Sequence, residues 1–266
     1  MTLRLSPLQL QDSGVRWLLS ALILLTLPLF PTSVTATAIA QTSLQIYSLT
    51  ITPSSGFVVF SPYVDVYASA GNSLGESESH EMFGVGNLTV SSQATWAYST
   101  SSADWNTQTA SAYSNFNVPG TVVGDAGGEN YAFLIIQPFT IVGATGPVLV
   151  TFNASVGYSQ FLMTDHSGNA ASSLLRFIVN VNETRSDQIR VIDQMLGYEI
   201  GRSSSYAASG QWDLSNSVML DAGVPYLDFE AYVRIMSSVS NAPEPSTFVL
   251  MVGGLGLIVA SRMFRA

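Results

Sequence analysis

The 266-residue chain has no cysteine and no lysine, only two histidines, and charged side chains at just 10 % of positions. The first absence excludes a disulfide framework, a thiol nucleophile and cysteine-held zinc or iron–sulfur centres. The second leaves arginine as the whole basic complement, nine residues against eighteen acids. Between 41 and 242 stand five arginines (Arg176, Arg185, Arg190, Arg202, Arg234) and sixteen acids, a net charge of −11. From Gln41 to Leu175 there is neither lysine nor arginine. Such a surface repels phosphate backbones, which excludes nucleic acid as a partner. The histidines, His80 and His166, give hydrolytic chemistry little to work with. Asp165-His166-Ser167 holds the residue types of a triad, but neighbours on one turn cannot converge as nucleophile, base and orienter. The stretch reads as a hydrophilic hairpin turn.

Long apolar runs are missing from the middle of the chain and present at both ends. Arg4 and Arg16 precede an apolar run from Trp17 to Phe30, then Pro31 and "VTATAIAQ". This is the charged, hydrophobic, small-residue order of a secretory signal peptide. Ala36-Thr37-Ala38 and Ala38-Ile39-Ala40 both fit the A-x-A rule, so residues 1–40 are expected to be a leader cleaved after Ala38 or Ala40. The run falls short of the ~20 residues a spanning helix needs. At the other end, Phe248 to Ala260 is apolar and rich in small residues, and Arg262 and Arg265 follow where positive-inside charges belong. Ser246 or Thr247 can cap the start of a single transmembrane helix, while Pro243 and Pro245 hold the preceding segment extended.

"PEPST", an apolar stretch and a short basic tail together resemble a PEP-CTERM sorting signal, the tag of exported bacterial proteins processed by exosortase. The resemblance covers residues 243–266 alone. It implies that Pro243, Glu244 and Pro245 are the recognition motif, Phe248 to Ala260 the transmembrane hold, and Arg262 with Arg265 the cytoplasmic stop. Met263 and Phe264 interrupt what is usually a tighter arginine cluster. The implied route uses the Sec machinery and signal peptidase, a transient precursor in the inner membrane, and exosortase. It ends at the cell-envelope surface or in the extracellular matrix with its exopolysaccharide.

The body alternates with period two. Val148, Val150, Phe152, Ala154, Val156 and Tyr158 share one face against Thr151, Asn153, Ser155 and Gly157; Leu227 to Ile235 does the same. Both are half-buried strands. Further strands are expected at Leu44 to Thr52, Phe57 to Ala70, Leu88 to Thr100, Gln108 to Asn117, Tyr131 to Val142, Leu174 to Asn182 and Ser217 to Asp221. Turn clusters such as "PSSG" at 53 and "GDAGGEN" at 124 separate them. Ser186 to Ile200 fits helix or strand and is taken as strand because its surroundings are β. The pattern predicts an all-β fold, a jelly-roll-like antiparallel β-sandwich over 41–236, with 237–242 as linker before the sorting segment.

Three chemistries are open to this body. Trp96 and Tyr98, two apart on an expected strand, with Trp105 and Tyr113 nearby, form a candidate platform for stacking on sugars, although aromatic side chains on strands more often fill cores. Glu76, Glu78, Glu81, Asp125, Glu129 and Asp165 supply the oxygen ligands calcium takes, without EF-hand spacing, so solvated acidic loops are the default. No feature selects two carboxylates as a glycosidase pair. The sequence therefore points first to a non-enzymatic structural or interaction protein of the envelope and matrix. A carbohydrate-binding module, with calcium bridging an anionic polymer, comes second and a matrix-sugar hydrolase third.

Overall fold

Period-two patterning governs nearly every segment of the computed structural model, which describes residues 37–59, 61–120, 122–165, 168–183 and 187–241. The expected leader up to Ala36, His166, Ser167, the Pro243-Glu244-Pro245 motif, the run Phe248 to Ala260, and Arg262 with Arg265 lie outside the described residues. The fold is all-β and antiparallel. One six-stranded sheet holds, in spatial order, β13 (Ser204–Asp221), β10 (Pro147–Thr164), β1 (Ala38–Pro53), β7 (Thr109–Val118), β6 (Ala97–Asp104) and β5 (Asn87–Ala94). The other holds β12 (Gln188–Gly201), β11 (Ala170–Asn182), β15 (Asp228–Asn241), β8 (Gly124–Ile136), β3 (Pro62–Asn72) and β4 (Ser77–Gly84). A small third sheet joins β14 (Pro225–Tyr226), β9 (Phe139–Val142) and β2 (Phe57–Val59).

The two large sheets bury their inner faces against each other. The main core includes Leu44, Ile46, Val150, Phe152, Phe177 and Phe229, all fully buried. Phe152 and Phe229 stack across the sheets at 5.5 Å with an interplanar angle of 9°. Each such side chain contributes roughly 1.5–3 kcal/mol of transfer free energy, with a further term for ring–ring contact. Towards the start of β1 the core is smaller and alanine-rich: Ala38, Ala40, Ala126 and Ala171 pack around Phe116, Leu162 and Val239. A buried hydroxyl layer lies in the sheets between these clusters. Thr42 Oγ1 is 2.5 Å from Ser114 Oγ and 3.1 Å from Ser237 Oγ, and Ser237 reaches Ser173 at 3.0 Å. Because these groups satisfy one another, they are buried without the cost of lone polar atoms.

Several boundaries differ from expectation. Of the stretch Ser186 to Ile200, Gln188 onward is strand, as read, and Ser186 lies outside the described residues. Leu88 to Thr100 is not one strand but the β5–β6 hairpin, turning at Thr95-Trp96, with Trp96 at φ 69°. The same alternation runs down both arms, and no glycine or proline marks the turn. "GDAGGEN" is not a turn but the first half of β8, held between β15 and β3. Its glycines answer to close backbone approach: a Cβ on Gly128 would lie 2.0 Å from the Ser69 carbonyl oxygen. The expected linker is likewise strand as far as Asn241. Ser237, Val239 and Asn241 point into the core, and Asn241 Nδ2 donates to the carbonyls of Pro119 and Val122 at 3.0 and 2.9 Å. At the other end β1 starts at Ala38, not at Gln41.

Candidate functional site

The outward faces of the two large sheets are chemically different, and the strand registers show how. Across the first sheet one outer row reads Gln93, Tyr98, Asn115, Gln41, Phe161, Ala207 and the next reads Ser91, Thr100, Tyr113, Ser43, Ser159, Ser209. Hydroxyl and amide groups dominate, and no charge lies in either row. Across the second sheet the rows carry charge and aromatic rings. One reads Met195, Arg176, Arg234, Tyr131, Tyr67, Glu81; its neighbour reads Asp193, Ile178, Tyr232, Phe133, Asp65, Phe83.

The rings of the second sheet form a band. Tyr67 stacks on Tyr131 at 4.9 Å, Phe133 on Tyr232 at 4.3 Å, and Tyr131 meets Phe133 edge-on at 5.1 Å. Phe83, 72 % exposed, tilts against Tyr63 at 6.1 Å. At one end of the band Arg176 grips Asp193 through Nε and Nη2 at 2.9 and 2.7 Å, and Arg190 reaches the same carboxylate at 3.0 Å. The Arg176 hydrogen bond holds the Asp193 carboxyl below the usual carboxylate range. Arg234 Nε meets Glu129 Oε1 at 2.6 Å. At the other end Tyr131 donates its hydroxyl to Glu81 at 3.1 Å. Beside it, burial and then the Glu81 charge push the Asp65 carboxyl up to about 6. One oxygen of Asp65 is buried without a hydrogen-bond partner. Burial, then the Asp228 charge, raises Glu230 as well. The band is thus cationic towards β12 and acidic towards β4.

Beyond the band, past a row that holds Leu174, Met236 and Glu129, side chains thin out. The row Glu199, Ser172, Ser238, Gly127, Gly71, Ser77 crosses all six strands with two glycines and three serines. The result is a trough running across the strands. Two adjoining hollows of about 540 and 620 Å³ lie along it. The first is bordered by Leu174, Tyr198, Glu199 and Met236; the second is bordered by Asn72, Ser73, Asp125 and Ser240, and Ser238 is common to both. Ser172 and Ser238 hydrogen-bond each other at 2.8 Å on the floor. At an inter-strand spacing of ~4.8 Å, six strands give a trough roughly 24 Å long.

The sequence-predicted platform is not where the rings gather. Trp105 is 9 % exposed and belongs to the main core. Trp96 sits in the β5–β6 turn, so it does not share a strand face with Tyr98; its ring packs on the alanine-rich core and lies beside Gly124. Only Tyr98 and Tyr113 keep company, tilted at 6.2 Å on the hydroxyl-rich sheet, with Gln41 Nε2 donating to the Tyr113 hydroxyl at 3.0 Å. Sequence reading missed the band, although "YVDVY" at 63 and "YAF" at 131 space their rings four and two apart, an even spacing that puts each pair on one strand face. The missing knowledge was the register that sets Tyr67 against Tyr131 and Tyr232 against Phe133.

The proposed calcium ligands are dispersed. Glu76 accepts from Asn72 Nδ2 and the Thr95 amide, both at 2.7 Å, and Glu78 accepts from the Gln93 amide at 2.5 Å. Among the described residues no three acids or histidines are grouped to hold a metal ion. His80 lies 3.3 Å from Ser92 Oγ and 3.9 Å from Glu78. Among the described residues no helix is long and apolar enough to cross a membrane. No protein-family model matches the chain, and neither does any curated protein.

Proposed function

We propose that the chain is an exported protein of the cell envelope or extracellular matrix whose β-body binds polysaccharide through the trough and aromatic band of the second sheet. It acts as an interaction protein without catalysis of its own. The N-terminal leader, the PEP-CTERM-like segment at Pro243-Glu244-Pro245 with its apolar helix, and Arg262 with Arg265 are the sorting elements of this reading. A jelly-roll-like winding is part of it too, supported by the repeated crossings of the chain between the sheets from β9 to β15; the β5–β6–β7 meander is an elaboration of that winding.

The single observation that carries the reading is the asymmetry of the two faces. An extended glycan needs a long shallow bed, ring surfaces for its C–H faces and charged hydrogen-bonding groups for its hydroxyls. The second sheet offers a side-chain-poor trough and, farther along the same face, the band of Tyr131, Phe133, Tyr232 and Arg234. The first sheet offers hydroxyls. In a titration of the exported protein against polysaccharide from its own host, Tyr232→Ala and Phe133→Ala each weaken binding by at least tenfold, about 1.4 kcal/mol. Tyr98→Ala leaves it unchanged. Equal effects of all three, or an effect of Tyr98→Ala alone, refute the assignment of the face.

A hydrolase is the second reading, favoured by one observation: a carboxyl held at about 6 beside the Glu81 carboxylate, as a general acid would be. Release of reducing ends that disappears in Asp65→Asn would replace the binding reading with this one.

A further inference from the structure

We infer that the mature protein begins at Thr37, by cleavage of the Ala36–Thr37 bond, and that the new α-ammonium group is held by the Asp165 carboxylate. The inference rests on the leader being a secretory signal, not on the glycan reading. Cleavage after Ala38 or Ala40, which the A-x-A spacing favours, cuts into a strand at the centre of a sheet. Ala38, Ile39 and Ala40 pair on one side with Val118, Asn117 and Phe116 and on the other with Thr164, Met163 and Leu162. Ala38 and Ala40 are fully buried against the cluster that contains Phe116 and Leu162. A cut after Ala40 therefore opens a gap between β7 and β10 and uncovers two large side chains. A cut after Ala36 keeps every one of these pairs. Val34-Thr35-Ala36 departs from A-x-A only by a small aliphatic residue in its first position.

The geometry around Thr37 is that of a terminus with a counter-ion. The Thr37 nitrogen donates to Asp165 Oδ1, and the Asp165 amide returns a bond to the Thr37 carbonyl at 3.3 Å. Asn169, 3 % exposed, donates to the same carboxylate oxygen at 3.5 Å, and its own Oδ1 is buried without a partner. An amide nitrogen has a single hydrogen to give here. The ammonium formed by hydrolysis has three and a full charge, so it makes the Asp165 contact a charge-assisted pair. The step is ordinary hydrolysis: water adds across the peptide bond, the C–N bond breaks, the carboxylate leaves with the leader, and the nitrogen becomes the ammonium of Thr37.

The absence of lysine makes the test clean, because the α-amine of the processed chain is its only primary amine. The full-length chain is exported from a bacterial host, and the recovered protein is examined by N-terminal sequencing and intact mass. The expected sequence is Thr-Ala-Ile-Ala-Gln. A start at Ile39 or Gln41 overturns the inference while leaving the leader intact; an uncut N-terminus overturns both. Acylation of the recovered protein at neutral pH then reads the ion pair. A unit's rise in the ammonium pKa slows labelling about tenfold, so Asp165→Asn should label about tenfold faster. Equal labelling rates in a protein that starts at Thr37 overturn the ion pair and leave the cleavage site standing.

Discussion

Asp65→Asn should stabilise this protein at neutral pH, and by an amount that depends on pH in a defined way. The carboxyl sits on the outer face of β3 between Phe133 and Phe83, with one oxygen lacking a partner and Glu81 nearby. Its pKa rises from 3.8 to about 6 on folding. Between those two values the native state binds more protons than the unfolded chain, so stability falls as pH rises through the window and stays low above it. The shift sets a ceiling of about 3 kcal/mol. Solvent screening at a half-buried site reduces this to about 1–2 kcal/mol. For a body of this size that is a gain in Tm of about 3–6 °C at pH 8. The gain should shrink through pH 6 to 4 and fade towards zero below pH 4, as the carboxyl becomes protonated in the unfolded state as well as in the folded one. Thermal denaturation of both proteins from pH 3.5 to 8.5 measures it. An offset independent of pH, or a loss of stability at pH 8, refutes the reasoning.

Other perturbations follow from the packing. Gly128→Ala drives a Cβ into the Ser69 carbonyl and should cost more than about 2 kcal/mol in a denaturant titration, since backbone cannot step aside. Gly157→Ala meets only the far end of the Tyr47 ring, which is 52 % exposed and free to swing out, so its cost should stay under about 1 kcal/mol. Phe229→Ala removes the ring stacked on Phe152 and should cost roughly 3–5 kcal/mol by the same measure. Millimolar calcium should move Tm by less than about one degree, because Glu76, Glu78 and Glu81 are already taken by amides and by Tyr131; a larger rise reveals a cation site. Replacing Pro243-Glu244-Pro245 with alanines should leave the precursor unprocessed in the membrane fraction, and normal maturation would overturn the sorting reading.

Much of the fold was legible because burial on one face writes itself into alternate residues. Val148 to Tyr158 and Phe229 to Ile235 read as strands for that reason, and Gln188–Gly201 was resolved correctly by its neighbours. Alternation fails at hairpin turns that lack a turn residue. Both arms at Trp96 share one pattern, so the reversal is silent, and the sugar platform built on a continuous strand fell with it. Glycine misled in the opposite direction: at Gly127 and Gly128 it serves neighbouring backbones rather than a turn. The aromatic band depends on which strands are neighbours. Tyr67, Tyr131 and Phe133 come from distant stretches, and only the pairing of β3 with β8 and of β8 with β15 makes them one surface.

The first and last strands of the body, β1 and β15, each lie inside a six-stranded sheet, and Ala38 and Val239 belong to the same small core cluster. The polypeptide therefore enters and leaves at one end of the molecule. A protein tethered there by either terminus receives tension along a central strand, parallel to its axis. Under such a load the hydrogen bonds of β15 to β8 and β11 are strained together in shear, whereas a tethered edge strand would peel away one bond at a time. In the role proposed above, with a polymer on one side and a cell on the other, this arrangement would convert the placement of two strands into mechanical endurance. It also directs the trough, which runs across the strands, at right angles to the line of pull.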